Sequence, residues 1–558
     1  MRTSNGPIDR PAPWLAVAFV LEAVAFYIHV QLRVAPYYPQ AYDQLTYLSA
    51  TFNFLDDLSQ RGLAAFEQVF FSPLPTGITY PLQGAFAVLA LGPSRAALLT
   101  PNLIYFLVAQ WVMFLTVRKT RGDAASGWLA ISIFAGCICV FKTAGGIADY
   151  RIDFAAMCLF GILVCALAWT EGFKSRKYSV IAGFLAAALI LMRFITAAYV
   201  GPIFLILCCY VIFLPRRGPP VWPQVKNISI SGAIVAAISI PALVAASQQI
   251  NAYYVGGHFK GGEPAIRAAE FGVSSLSGYL LFYPKALMDY QIGTIGVVVI
   301  AAVVITALIG KWRSHFLKID YPFDAIVFLV SFIVPIIVLT CDVAKSPVAV
   351  GIVLIPLLLL VTTGWRSFAV PSLAPRLLRG ITYFIMASGA VGFLVNASAP
   401  RFDLSPADQA EIERLNKAIA TSMEGFDNPR VAFDRTDPYL NYATATFYFR
   451  QIYGRPAPAV SQSLGGIFAV QRDDALAALQ SSDIIILSDK SPKRGQFPFE
   501  KQISQYWDAL DDYAIHNLTL LCSGVIANVP HRIFVRQPRA GQRCESANPA
   551  DLTAAVRR

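Results

Sequence analysis

Charge is scarce in this chain. Lys, Arg, Asp and Glu make up 14% of its 558 residues, where soluble globular proteins carry about 25%. That deficit, beside 56% hydrophobic residues and repeated long apolar runs, excludes an ordinary soluble fold and indicates a polytopic membrane protein. Nucleotide signatures are missing as well. There is no GxGxxG turn and no phosphate loop, so no nucleotide site is assigned. No CxxC pair and no His/Cys spacing suits zinc. No internal repeat is visible, which weighs against the repeat-built transporters. The first apolar run has about spanning length and lacks a clear small-x-small cleavage site, so it reads as a retained helix rather than a removed signal. Cysteine is sparse where it would matter for disulfides. Cys137, Cys139, Cys158, Cys165, Cys208, Cys209 and Cys341 lie in or beside apolar runs as small core residues. Only Cys522 and Cys544 fall in a polar region; they could pair in an oxidising compartment or stand as two free thiols.

What is present are apolar runs near 14–33, 101–117, 125–141, 154–170, 178–192, 195–214, 228–247, 292–310, 323–340, 347–364 and 381–397, about eleven segments at the length a bilayer demands. A further run, 78–92, is short and opens near Pro81. Charge decides its placement. Basic loops hold Arg118, Lys119 and Arg121; Lys174, Arg176 and Lys177; Arg216, Arg217 and Lys226; Lys311, Arg313 and Lys318; and Arg366, Arg376 and Arg379. If 78–92 lies in the outer interface instead of spanning, every basic loop falls on the side of the N-terminus, which the positive-inside rule makes the cytoplasm. The net charge of +11 is therefore loop charge, and no nucleic-acid partner is implied. Arg193 interrupts the long run 178–214. A charge at mid-bilayer is costly, so the run is expected to fold into two helices with Arg193 at an outer turn.

Beyond residue 398 the pattern changes. Helical stretches such as SPADQAEIERLNKAIATSM and FEKQISQYWDALDDY alternate with short apolar strands, RVAFD, DIIILSD, LTLLCSG and HRIFVRQ. The expectation is a membrane domain over 1–398, an outward-facing soluble α/β domain over 399–540, and a disordered tail over 541–558.

This topology collects charges at one membrane face. A long outer loop, 34–100, contains Asp43, Tyr47, Asp56, Asp57 and Glu67; the next contains Asp149, Arg151 and Asp153; then comes Arg193. A loop over 248–290 brings Tyr253, His258 and Lys260, and the last brings Asp342 and Lys345. Acids there could activate a hydroxyl or hold a divalent cation such as Mg or Mn, with Asp43, Asp149 and Asp153 as the oxygen donors. Cations could hold a phosphate. Each has a plainer explanation: an acid beside a helix N-terminus stabilises the helix, and an interfacial Arg or Lys snorkels to headgroups.

A first spanning helix followed at once by an acid with a nearby Tyr, YDQLTYL, then a Pro-led apolar run, SPLPTGITYPLQGAFAVLALG, then a basic-Gly turn, VRKTRGDAASG, resembles the GT-C membrane glycosyltransferases. The protein O-mannosyltransferase and aminoarabinose-transferase branch is most similar, and DVAKSPVAVGIVLIPLLLL resembles its late Lys-then-Pro segment. Gln44 stands where many relatives carry a second acid. The resemblance implies a polytopic helical fold, a polyprenyl-phosphate sugar donor, and transfer to a cell-envelope glycan, lipid or protein at the outer face of the membrane; the compact loops and basic Pro/Arg-rich turns suggest a bacterial inner membrane, with that face periplasmic. It implies Asp43 as the catalytic acid. Asp149 is then the second acid, Arg193 and Lys345 the phosphate partners, and Arg151, Tyr47, Tyr253, His258 and Lys260 further substrate contacts. No cofactor is required by this chemistry. An outer-face glycan polymerase or ligase, or a lipid-glycan transporter, are the competing readings.

Overall fold

The computed structural model describes residues 11–37, 43–71, 73–213, 221–260, 263–294, 296–297, 323–365, 375–400, 404–424, 426–434, 439–464, 471–488, 498–537 and 544. The apolar run at 292–310 lies almost wholly outside them, and so does the tail apart from Cys544. The chain forms two compact units. One contains Met1–Gln31, Asp57–Tyr253 and Leu276–Arg401; the other contains Leu32–Asp56, Tyr254–Ser275 and Phe402–Arg558.

The first unit is helical. Six described helices are long and apolar enough to cross a membrane: Ala12–Val34, Arg95–Arg121, Ile152–Trp169, Phe194–Phe213, Trp222–Ala245 and Phe323–Cys341. Shorter apolar helices cover Thr79–Leu91, Ala124–Gly136, Ala349–Thr363 and Thr382–Ser398. The protein is a multi-pass membrane protein. Helix Ile152–Trp169 is apolar beyond Asp153 in its first turn and buried along nearly its whole length, as a helix without a polar face must be. It packs against Arg95–Arg121, Arg176–Met192 and Phe323–Cys341. Helix Trp222–Ala245 has only a few buried positions and turns most of its apolar surface outward. The turn between Arg95–Arg121 and Ala124–Gly136 follows from three residues: Gly122 takes φ 73° at the C-cap and Asp123 accepts from Ser126 N. Helix Ala124–Gly136 meets Pro375–Ser398 so closely that a Cβ on Gly389 would overlap the Ser132 carbonyl. Helix Thr79–Leu91 has 13 residues, about 20 Å of rise, short of the ~30 Å apolar core of a bilayer.

The second unit is α/β. Strands β1 (Arg430–Phe433), β2 (Val460–Ser463), β3 (Ile484–Ser488), β4 (Thr519–Ile526) and β5 (Val529–Val535) form one sheet in the order β2-β1-β3-β5-β4. β1 lies parallel to β2 and β3; β5 lies antiparallel to β3 and β4. β3 is buried at every position, which suits a strand of four apolar residues ending in Ser488 at the sheet centre. The β4–β5 hairpin turns through Ala527 and Asn528, both at positive φ, the geometry of a two-residue type I′ loop. Helix Pro498–Asn517 covers the sheet with Ile503, Trp507 and Leu510 against Ile485, Leu487 and Phe534. Buried Asp434, just beyond β1, accepts from Ser488 N at 2.7 Å and Trp507 Nε1 at 3.2 Å, while Ser488 Oγ meets His531 Nδ1 at 3.0 Å. This polar tie joins β1, β3 and β5 at one end of the sheet. Helix Asp43–Arg61 contributes its residues up to Asp56 to the same unit.

Cys522 and Cys544 form a disulfide, with Cα atoms 5.3 Å apart. Closing a loop of this size stabilises a domain by about 2–4 kcal/mol. Replacing both cysteines with Ser is expected to lower the unfolding temperature of the α/β unit. Non-reducing peptide mapping of the wild-type protein from membranes should recover the two cysteines in one linked fragment.

Candidate active site

The densest group of sequence-predicted residues in the membrane unit surrounds the N-terminus of helix Ile152–Trp169. Asp149 is fully buried. Its Oδ2 accepts from Gly145 N at 2.7 Å and lies 3.2 Å from Arg151 Nε. The loop that presents it is fixed from behind. Asn102 Nδ2 donates to the carbonyls of Ile147 (3.1 Å) and Asp149 (3.0 Å), and Tyr80 OH donates to Asn102 Oδ1 at 2.9 Å. Gly146 is required: a Cβ there would overlap the Cys139 carbonyl. Asp153, in the first turn of the helix, is ion-paired with Arg193.

Arg193 stands where the expected break occurs. Helix Arg176–Met192 ends at it, and Phe194–Thr196 forms a 3-10 turn before the next helix. Its extended backbone is clamped by a second segment, Ile78 N donating to Leu191 O at 2.8 Å and Phe194 N to Thr76 O at 3.0 Å. Gly77 has no room for a Cβ against the Met192 carbonyl. A small cavity beside the ion pair is lined by Asp153, Arg193, Tyr199, Leu339, Val348 and Ile352. The 342–348 loop thus reaches the same place, held there by Gln291 Nε2, which donates to Pro347 O at 2.9 Å.

Lys345 is set differently from the sequence expectation that it faces a phosphate. Its side chain is fully buried. Nζ points at the carbonyls of Leu339 (3.4 Å), Thr340 (2.8 Å) and Asp342 (2.7 Å), and lies 3.6 Å from the Tyr279 ring centroid and 5.0 Å from that of Tyr283. Three donors meet three carbonyls at the C-terminal end of helix Phe323–Cys341, where a cation is favoured, and the rings add cation–π attraction. Burial lowers its pKa to about 8, against the opposing pull of Asp342. The same burial raises the Tyr279 pKa. The two tyrosines, like Tyr80 and Asn102, carry no motif that would mark them in sequence.

Asp43 and Tyr47 belong to the second unit. Asp43 is exposed at the first position of helix Asp43–Arg61, while Tyr47 and Gln44 are buried one turn on and beside it. Tyr253 is half-buried in the helical segment Asn251–Lys260; the side chains of His258 and Lys260 lie outside the described residues.

Among the described residues no group of three His, Cys, Asp or Glu side chains could hold a metal. Asp149 and Asp153 are each paired with an arginine, so a cation between them would have to displace two guanidiniums.

No family model and no curated protein matches the chain. Solved structures do. ArnT from Cupriavidus metallidurans in the apo state is 12% identical, with a TM-score of 0.59 over 94% of this chain and 98% of that one. ArnT bound to undecaprenyl phosphate gives 11% identity and a TM-score of 0.58 over 95% and 99%. The Archaeoglobus fulgidus oligosaccharyltransferase in the apo form gives 11% and 0.50 over 85% of this chain and 69% of that one. The chain has the fold of these solved structures. The likeness to ArnT covers both the membrane helices and the C-terminal α/β unit, because nearly the whole of both chains is matched.

The caged lysine yields a pH signature. Its folded pKa, about 8, lies below the ordinary 10.5, so the unfolded chain binds more protons between those values and stability should rise with pH across that window. Thermal unfolding from pH 7 to 10.5 should show this rise relative to Lys345→Met, in which the difference is lost.

Proposed function

We propose that this protein is a glycosyltransferase that moves a sugar from a polyprenyl-phosphate donor to a hydroxyl of a cell-envelope glycan, lipid or protein. The observation that carries this reading is the end-to-end fold match to ArnT, which has been crystallised with undecaprenyl phosphate. The supporting chemistry is local: an exposed acid at Asp43 and a partly exposed guanidinium at Arg193 beside a cavity.

Asp43 serves as the general base. It takes the proton of the acceptor hydroxyl as that oxygen bonds to the sugar's anomeric carbon. The bond from that carbon to the phosphate oxygen breaks, and the lipid phosphate leaves with the electron pair. Arg193 stabilises the charge that grows on the phosphate. Asp153 orients Arg193, and the buried Asp149–Arg151 pair shapes the loop behind it. Lys345 supports the 342–348 loop through its carbonyl cage instead of meeting the phosphate. Tyr47, Tyr253, His258 and Lys260 remain candidates for sugar or acceptor contacts. No step requires a metal.

The proposed setting is a bacterial inner membrane with the N-terminus cytoplasmic. Helix Thr79–Leu91 lies in the outer interface and the α/β unit is periplasmic. The Cys522–Cys544 disulfide supports an oxidising compartment for that unit.

Asp43→Asn, folded and membrane-inserted, should lose at least ~100-fold in transfer, the scale of a general base. Arg193→Ala should cost about 100- to 1,000-fold in kcat, the scale of removing one charge-stabilising donor. The measurement is sugar transfer by purified protein from a synthetic polyprenyl-phosphate sugar. Near-normal transfer by Asp43→Asn would remove the mechanism.

A further inference from the structure

We propose that Arg450 in the α/β unit is a positioning residue that pins the Asp43 helix, so that this unit aims the catalytic base. The inference rests on the reading of Asp43 as the base. It gives the C-terminal unit a mechanical part in the reaction.

Arg450 sits in the last turn of helix Tyr442–Tyr453. Its Nη2 donates to Asn53 Oδ1 at 2.5 Å and is ion-paired with Asp56 Oδ2 at 2.8 Å. One turn earlier, Phe447 meets Phe52, with ring centroids 6.2 Å apart. Phe447 and Arg450 share one helix face by their i,i+3 spacing, and Asn53 and Asp56 share another. The contact is therefore face to face, one apolar pair beside one charged pair. The Arg450 side chain is only 13% exposed and that of Asp56 34%, so the pair is more desolvated than an ordinary surface bridge, which is worth little. Arginine suits the position because a fixed planar fork can serve two acceptors.

The leverage comes from helix geometry. Asp43 begins the helix and Asp56 lies near its far end, roughly 20 Å away at the standard rise. A helix of this length is a stiff rod, and a tilt of about 5° at Asp56 would carry Asp43 roughly 2 Å. Misplacing a reacting group by about 1 Å can cost on the order of 100-fold in rate. A pin at Asn53 and Asp56 thus controls the base without touching substrate.

The test uses the full-length protein in nanodiscs with a synthetic polyprenyl-phosphate sugar. Arg450→Ala should lower kcat by about 10- to 100-fold, with the donor KM unchanged. Amide exchange should quicken across 43–56 and stay at wild-type rates in β3. The charge-swapped Arg450→Asp/Asp56→Arg protein should regain most of the turnover. If Arg450→Ala does not fold, the swapped protein carries the test alone: it must give folded, active enzyme. Wild-type kcat in Arg450→Ala, unchanged exchange across 43–56, or an inactive swap overturns the proposal. Asp43→Asn separates this from failure of the base assignment. If Asp43→Asn is active, the base assignment is wrong; if it is inactive while Arg450→Ala is fully active, only the positioning role is wrong.

Discussion

The membrane unit depends on one constraint: helix Ile152–Trp169 is buried on every side, so its N-terminal amides and the polar residues around them must find partners inside the protein. In an apolar medium an unsatisfied backbone group costs several kcal/mol. The chain meets this with acids, which a helix N-terminus attracts, and then with arginines that neutralise the acids. Asp149 receives Gly145 N and Arg151, and Asp153 receives Arg193. Arg193 can serve because the preceding helix stops at Met192 and the Thr76–Ile78 segment clamps the break open. The candidate site is a consequence of capping a buried helix. Among the described residues of this group, Arg193 is the cation that lines the cavity, and it is the one proposed above for the leaving phosphate.

Lys345 shows the complementary solution at a helix C-terminus. A buried ammonium is tolerable only when every N–H has an acceptor, and here three carbonyls supply them. The charge goes into holding a loop, which brings Val348 to the Arg193 cavity. Two cations that look alike in sequence, each near a helix end at the same expected membrane face, are thereby separated into one that lines a cavity and one that is sealed.

Much of the fold was legible because the membrane imposes a coarse rule. Apolar runs of spanning length become helices whatever their detailed packing, and four of the five strands were visible as short apolar runs. β2, with the sequence VSQS, was not, since a short polar edge strand carries no periodic signal. Helix Tyr442–Tyr453 was likewise hidden among aromatic and Thr residues that favour strands as readily as helices. The break at Arg193 was readable from the cost of a buried charge. The Asp149–Arg151 and Asp153–Arg193 pairings were not, because an ion pair depends on which helix ends meet. The stretch after the first span shows the same limit. Its acid could be read as a loop residue or a base, and nothing local marks it as the first residue of a helix bound to the α/β unit through Arg450, which meets Asn53 from 397 positions away.

By itself, then, the amino-acid order determined a multi-pass helical membrane protein with a soluble α/β part, and which acids and cations stand near helix ends. Transfer free energy and strand periodicity are local sums, and a sequence displays them directly. Only the tertiary structure decided that Arg193 lines a cavity while Lys345 is caged. It alone decided that Asp149 is buried beneath Asn102 and Tyr80, and that Asp43 opens a helix pinned by Arg450. Each of those outcomes depends on desolvation and on a partner distant in sequence, and both quantities exist only once the helices have packed.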